Sequence, residues 1–198
     1  MKKLFIIRHG QTFCNEKGCF TGLKDDLLTD LGKEQSRLLA GVLLEESITK
    51  VYTSKLRRTL DTAQPFMDLA ELGHTAYDYF NERDLGPFNG HPTREVFQKY
   101  PDFADITFNA PVNDLGVENT LDFIDRIKKG IGILDSDTEE NLALFTHGGT
   151  IRTLVPILTN TPIENNTSIK NTSVTVLKKN DDQDFYSVEV LASTDHLD

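Results

Sequence analysis

At three places in this chain a short strand-like run stops at polar residues, and no other feature of the sequence limits the fold as strongly. Residues 3–7 break at Arg8-His9-Gly10, residues 50–53 break at Ser54, and residues 141–146 break at His147-Gly148-Gly149. Runs this short suit buried strands better than helices. The polar residue ending each run then sits at a strand's carboxyl edge, where open α/β sheets bind their ligands.

Helical spacing follows the runs. Thr29 is an expected N-cap for a helix whose apolar positions Leu31, Leu38, Leu39, Val42 and Leu43 should cover one sheet face. The helix after Ser54 carries Leu56, Leu60, Ala63 and Met67 along one stripe, with a kink expected at Pro65. Residues 118–134 repeat the period through Leu121, Ile124, Ile127 and Ile131. Residues 76–80 read as a further strand, and residues 174–177 and 185–191 as closing strands around a turn at 180–184. Residues 81–92, rich in Gly, Pro and Asn, read as a long loop of the kind that carries function. No repeat, linker or low-complexity tract interrupts the pattern, so residues 1–198 read as a single domain.

Charge narrows the partners. With 31 Asp and Glu against 21 Lys and Arg, the formal net charge is -10, which argues against nucleic acid and anionic membranes. A phosphate site in such a chain must be a small focused pocket, because close charges outweigh screened distant ones. Residues 1–7 contain two lysines and only four consecutive apolar residues, too few for a signal core or a membrane span, so a cytoplasmic location is expected. Cys14 and Cys19 match no zinc spacing and would close only a tiny ring, so both are expected to be reduced bystanders. The sequons at Asn165 and Asn171 would matter only in a secretory pathway.

His9 and His147 each follow an apolar run and precede glycine, which implies that the two strand ends meet in one cleft. Arg8, Arg57 and Arg58 can reach the same sheet edge and fork onto phosphate oxygens. Phosphoryl transfer needs a nucleophile, cations around the equatorial oxygens and an acid for the leaving oxygen. A neutral imidazole with one nitrogen donating to a backbone carbonyl offers the other for in-line attack, a role that His9 fits. Glu82 and Asp84 are both available as the acid. No P-loop, dinucleotide fingerprint or Cys-to-Arg phosphatase spacing is present. The stretch Asp135-Ser136-Asp137-Thr138 follows a helix and reads as a solvated turn.

These residues resemble the histidine phosphatase superfamily, also called the phosphoglycerate mutase-like family. Its motifs are similar to Arg8-His9-Gly10-Gln11-Thr12 with Asn15, to Phe20-Thr21-Gly22 followed by Leu28-Thr29-Asp30-Leu31-Gly32, to Ser54-Lys55-Leu56-Arg57-Arg58, to Asn81-Glu82-Arg83 with Gly86 and Gly90, and to His147-Gly148-Gly149-Thr150. They run in family order from residue 4 to about residue 177. The resemblance implies a three-layer α/β/α sandwich with a mostly parallel central sheet. It implies phosphorylation of His9, Glu82 as proton donor, and a phosphate pocket of Arg8, Arg58 and His147, with Asn15, Thr21, Gly22 and Gly148 nearby. It also implies a small phosphate monoester as substrate and chemistry that needs no metal or other cofactor. The family's mutases carry a Tyr, a Lys and an Asn where this chain has Leu85, Thr93 and Gly149, so a phosphatase is expected over a mutase. A non-catalytic phospho-ligand binder is the remaining alternative.

Overall fold

The computed structural model describes residues 1–105, 107, 110–180 and 182–198. Six strands form one sheet in the order β3-β2-β4-β1-β5-β6: β1 Lys2–Arg8, β2 Lys50–Thr53, β3 His74–Ala76, β4 Asn141–Thr146, β5 Val174–Lys179 and β6 Ser187–Ser193. The strands β1 to β4 run parallel, with Ile7 beside Phe145 and Arg8 beside Thr146. Strand β5 is antiparallel to β1, and β6 is antiparallel to β5. Asp181, within the turn expected at 180–184, lies outside the described residues.

Strand alternation sends side chains to two cores. Leu4, Ile6, Leu142 and Leu144 pack with Phe123, Ile127 and Leu154 on one face, while Phe5, Ile7, Ala143 and Phe145 pack with Leu39 and Phe66 on the other. Helices α2 (Asp30–Leu43) and α3 (Arg57–Ala70) therefore cover one side, and α5 (Thr120–Ser136) and α6 (Gly148–Thr159) the other, completing three layers. Two short helices, α1 (Phe13–Glu16) and α4 (Thr93–Lys99), lie in segments that carried no helical expectation. No helix among the described residues is long and apolar enough to cross a membrane.

Several local expectations need correction. Thr29 does cap α2, accepting from Gly32 N at 3.0 Å, but the inward face is Gly32, Ser36, Leu39, Ala40 and Leu43, while Leu31, Leu38 and Val42 are exposed. The reason is close approach: a Cβ on Gly32 would lie 2.1 Å from the Gln11 carbonyl oxygen, so small residues seat the first turns while Leu39 and Leu43 fill the core beyond them. The strand expected at 76–80 ends at Ala76. Tyr77 N still bonds Thr53 O at 3.1 Å, and residues 78–80 then turn into a 3-10 helix. Helix α5 starts at Thr120 and exposes Leu121, its buried side being Phe123, Ile127, Gly130 and Leu134. Helix α3 runs through Pro65 as one element. The segment 135–138 is not merely a solvated turn, because Tyr186 and Tyr52 donate to Asp135 and Asp137.

Candidate active site

Because β1 and β4 are parallel neighbours, the residues just past their carboxyl ends emerge side by side, and the rings of His9 and His147 lie 5.2 Å apart. His9 is 3% exposed, and its Nδ1–H donates to the Gly10 carbonyl at 2.8 Å, which leaves the Nε2 lone pair unprotonated and free to attack. Burial first, then the cations of Arg58 and Arg8, hold His9 well below the usual histidine range, so the ring is neutral. His147 is also held well below that range by burial, Arg58 and His9.

Neighbours set the tautomer of His147. Arg58 Nε donates to its Nδ1 at 3.2 Å, so the proton is on Nε2, which donates to Ser54 Oγ at 2.8 Å. Ser54 in turn bonds Thr59 Oγ1 at 2.9 Å, and Thr59 donates to the Leu56 carbonyl. This relay runs through the first turn of α3, immediately after β2.

Arg58 is fully buried, while Arg57 faces solvent and pairs with Asp61 at 3.4 Å. Arg58 donates to the carbonyls of Gly22 and Lys24 at 2.7 and 3.0 Å. Burial pushes the guanidinium down to about 10, against the opposing pull of Glu82, Asp26 and Asp25, and it remains charged at neutral pH. Arg8 donates through Nη1 to the Ile169 carbonyl at 2.5 Å, while its Nε is a buried donor with no partner among the described residues. A buried unpaired guanidinium donor at a strand edge has the chemistry to bind an anion.

Glu82 reaches this edge from the loop after residue 80. Its Oε1 accepts from Arg83 N and its Oε2 from Gly149 N, each at 3.0 Å. A Cβ on Gly149 would lie 2.5 Å from Oε1, so glycine is what lets the carboxylate sit on the first turn of α6. A Cβ on Gly148 would meet Arg8 Nε only at 3.6 Å, an ordinary contact, so Gly148 adjoins Arg8 without being required by it. Asp84 points away and braces its own loop, accepting from Gly86 N and Asn89 Nδ2. Arg83 ties the loop to α5 through the Glu118 carbonyl and Thr120.

The weaker candidates separate. Asn15 joins the site through Asn171, whose Nδ2 donates to the His9 carbonyl and to Asn15 Oδ1, both at 3.0 Å. Gly22 meets Arg58 through its carbonyl, so it positions the guanidinium. The Thr21 hydroxyl makes no hydrogen bond among the described residues. Three residues were missed or undervalued in the sequence. Ser54 was foreseen as a strand end and as part of the Arg58 motif, without a role of its own. Thr62 accepts from Gly10 N and donates to the Arg58 carbonyl. Asn171 was noticed only as a sequon, and nothing local links it to partners 156 and 162 positions away. Burial and Asp26 push the Cys14 thiol up, which suits an inert thiol. No group of three or more His, Cys, Asp or Glu among the described residues is placed to hold a metal ion.

Comparison with known proteins places this arrangement in a family context. The family model described as histidine phosphatase superfamily (branch 1) matches residues 4–190. A broad-specificity phosphatase of Saccharomyces cerevisiae is 31% identical over 208 residues, covering 98% of this chain and 87% of that protein. A 2,3-bisphosphoglycerate-dependent phosphoglycerate mutase of Porphyromonas gingivalis is 31% identical over only 107 residues, 52% of this chain and 43% of the mutase. The same fold occurs in a mycobacterial glucosyl-3-phosphoglycerate phosphatase solved with VO3, at a TM-score of 0.85 and 24% identity, covering 98% of this chain and 100% of that one.

Proposed function

The chain belongs to the histidine phosphatase superfamily, and we propose that it is a phosphohydrolase that removes phosphate from a small phosphorylated metabolite through a phosphohistidine on His9. It acts as one catalytic domain over residues 1–198, in the cytoplasm, without metal or other cofactor. The observation that carries this reading is the neutral His9, its Nδ1 engaged by the Gly10 carbonyl and its Nε2 free among buried guanidinium groups.

In the first half-reaction His9 Nε2 attacks phosphorus, the bond from phosphorus to the leaving oxygen breaks, and Glu82 protonates that oxygen. Arg8, Arg58 and His147 line the space for the transferring phosphoryl oxygens, with Asn15 and the Gly148 backbone at its margin. In the second, water attacks the phosphohistidine, Glu82 takes the water's proton, and the bond from nitrogen to phosphorus breaks to release inorganic phosphate. Such hydrolysis asks for accelerations of up to about 10²¹-fold, so positioning and charge must act together.

Hydrolase is preferred over mutase because the mutase side chains are replaced: Leu85 is buried in an apolar cluster, and Gly149 backs directly onto Glu82. The test is p-nitrophenyl phosphate hydrolysis by the native protein and His9→Ala, with turnover expected only in the native protein. Equal, near-zero rates in both would favour a non-catalytic binder. Rapid isomerisation of 3-phosphoglycerate with bisphosphoglycerate, releasing little phosphate, would overturn the hydrolase reading.

A further inference from the structure

A cavity of about 680 Å³ is lined by Glu82 and Gly149 and extends between the loop after residue 82, α5 and α6. If Glu82 protonates the leaving oxygen, as proposed above, the body of the leaving group has to lie against Glu82, and this cavity is the adjoining space. Its walls are mostly apolar, formed by Leu85, Phe123, Ile124, Pro156 and Ile157, and the two hydroxyls on them, of Thr120 and Thr153, already donate to the Ala110 and Gly149 carbonyls. The floor is also rigid, because the Phe123 ring is held by the guanidinium groups of Arg126 and Arg83 at 4.9 and 5.5 Å, and the Leu85 amide is held by Asn89. A polyhydroxylated alcohol would leave hydroxyls unpaired against such walls, whereas an aryl or alkyl body would not.

Three cations line this cavity: Arg83, which is bonded to the Glu118 carbonyl and Thr120, and the solvent-exposed Arg152 and Lys128. Lys128 makes no ion pair among the described residues, whereas its neighbour Lys129 is paired with Asp125 at 2.7 Å. Arg152 donates through Nη2 to the Thr167 carbonyl, with no carboxylate beside it among the described ion pairs. In a chain of net charge -10, two exposed cations outside any described ion pair, at a cavity whose one acidic lining residue is Glu82, favour an anion beside them. Their exposure suits a monoanion that stays partly hydrated better than a second phosphate dianion.

We infer that the substrate is a phosphate monoester whose alcohol has an apolar body filling this cavity and ends in a carboxylate held by Arg152 and Lys128. This rests on the phosphatase reading. Three primary alkyl phosphates with similar leaving groups test it: ethyl phosphate, 2-phenylethyl phosphate and 4-(2-phosphonooxyethyl)benzoate. The phenyl group should raise kcat/KM about ten-fold or more, as burial of an apolar group in a fitted pocket does. The carboxylate should add a further few-fold, an increment that fades in about 1 M NaCl and disappears in Arg152→Gln/Lys128→Gln. Equal kcat/KM for ethyl and 2-phenylethyl phosphate would overturn the apolar half, and a carboxylate increment that is absent, or survives the double substitution, would overturn the anionic half. Calorimetric Kd values on His9→Ala separate this from the activity itself. The same order of affinity without hydrolysis by the native protein would sink only the phosphatase reading, and equal Kd values would sink only the inference.

Discussion

Burying a guanidinium beside two imidazoles is costly unless acceptors hold it, and Arg58 is held by two loop carbonyls and by His147. Arg58→Ala should therefore act twice, loosening the Gly22–Lys24 turn and removing charge from the transferring phosphoryl group. Since a hydrogen bond to a charged group contributes about 1.5–3 kcal/mol, kcat/KM should fall by roughly ten-fold to a hundred-fold, with KM raised and kcat lowered. Steady-state kinetics showing an unchanged kcat/KM would remove Arg58 from the proposed role. Ser54 acts differently, as the acceptor of the Nε2–H that the Arg58 contact to Nδ1 leaves on His147. Replacing it with Ala strands that buried N–H and should cost about 1–3 kcal/mol of stability. Nitrogen NMR of the imidazole should still show the Nε2–H tautomer, because Arg58 continues to donate to Nδ1; loss of that tautomer would mean that Ser54, not Arg58, sets it.

Among the elements, α2 shows how a helix can be placed by its smallest residues. Its periodic leucines suggested a stripe against the sheet, but Gly32 and Ser36 approach the turn after His9 so closely that the helix is rotated, and Leu31, Leu38 and Val42 face water. Gly32→Ala would push a methyl into backbone at 2.1 Å, and backbone cannot swing aside as a side chain can. Overpacking of this kind costs about 1–3 kcal/mol or more, so a clear drop in urea midpoint is expected, with lower activity because Gln11 and Gly10 adjoin the nucleophile. Retention of both would mean that α2 can shift without cost. The shortened β3 teaches a related lesson: apolar and aromatic composition at 76–80 suited either a strand or a buried turn, and only the position of the ladder end at Tyr77 decides which.

For the whole molecule, two buried neutral histidines link stability to pH. The folded-state values of His9 and His147 lie well below 6.5, the unfolded value, so below 6.5 the unfolded chain binds protons that the folded one refuses. Their contribution is complete above the unfolded value and is lost as pH falls through it toward the folded values, at up to about 1.4 kcal/mol per pH unit for each ring. Thermal melts should show Tm falling as pH drops below about 6.5, with a shallower slope in His147→Gln. A flat profile through that window would show that the rings are not buried as neutral groups.

The strand ends, the helix periods and the order of the motifs were legible in the sequence because they depend on neighbours a few residues apart: alternation, capping and glycine at a turn act locally. So was the nomination of His9, His147 and Arg8, each standing beside a break that the local pattern reveals, whereas Glu82 was singled out from Asp84 only by its motif. Arg58 was legible only through its motif, because Arg57 has the same chemistry, and only the turn of α3 buries one and exposes the other. The structure alone decided that Asn171 supports Asn15 and the His9 carbonyl, that Ser54 accepts from His147, and that Leu85 and Phe123 wall a cavity beside Glu82. Those relations join residues far apart in the chain, and the packing of whole elements sets their distances, so no local pattern can encode them.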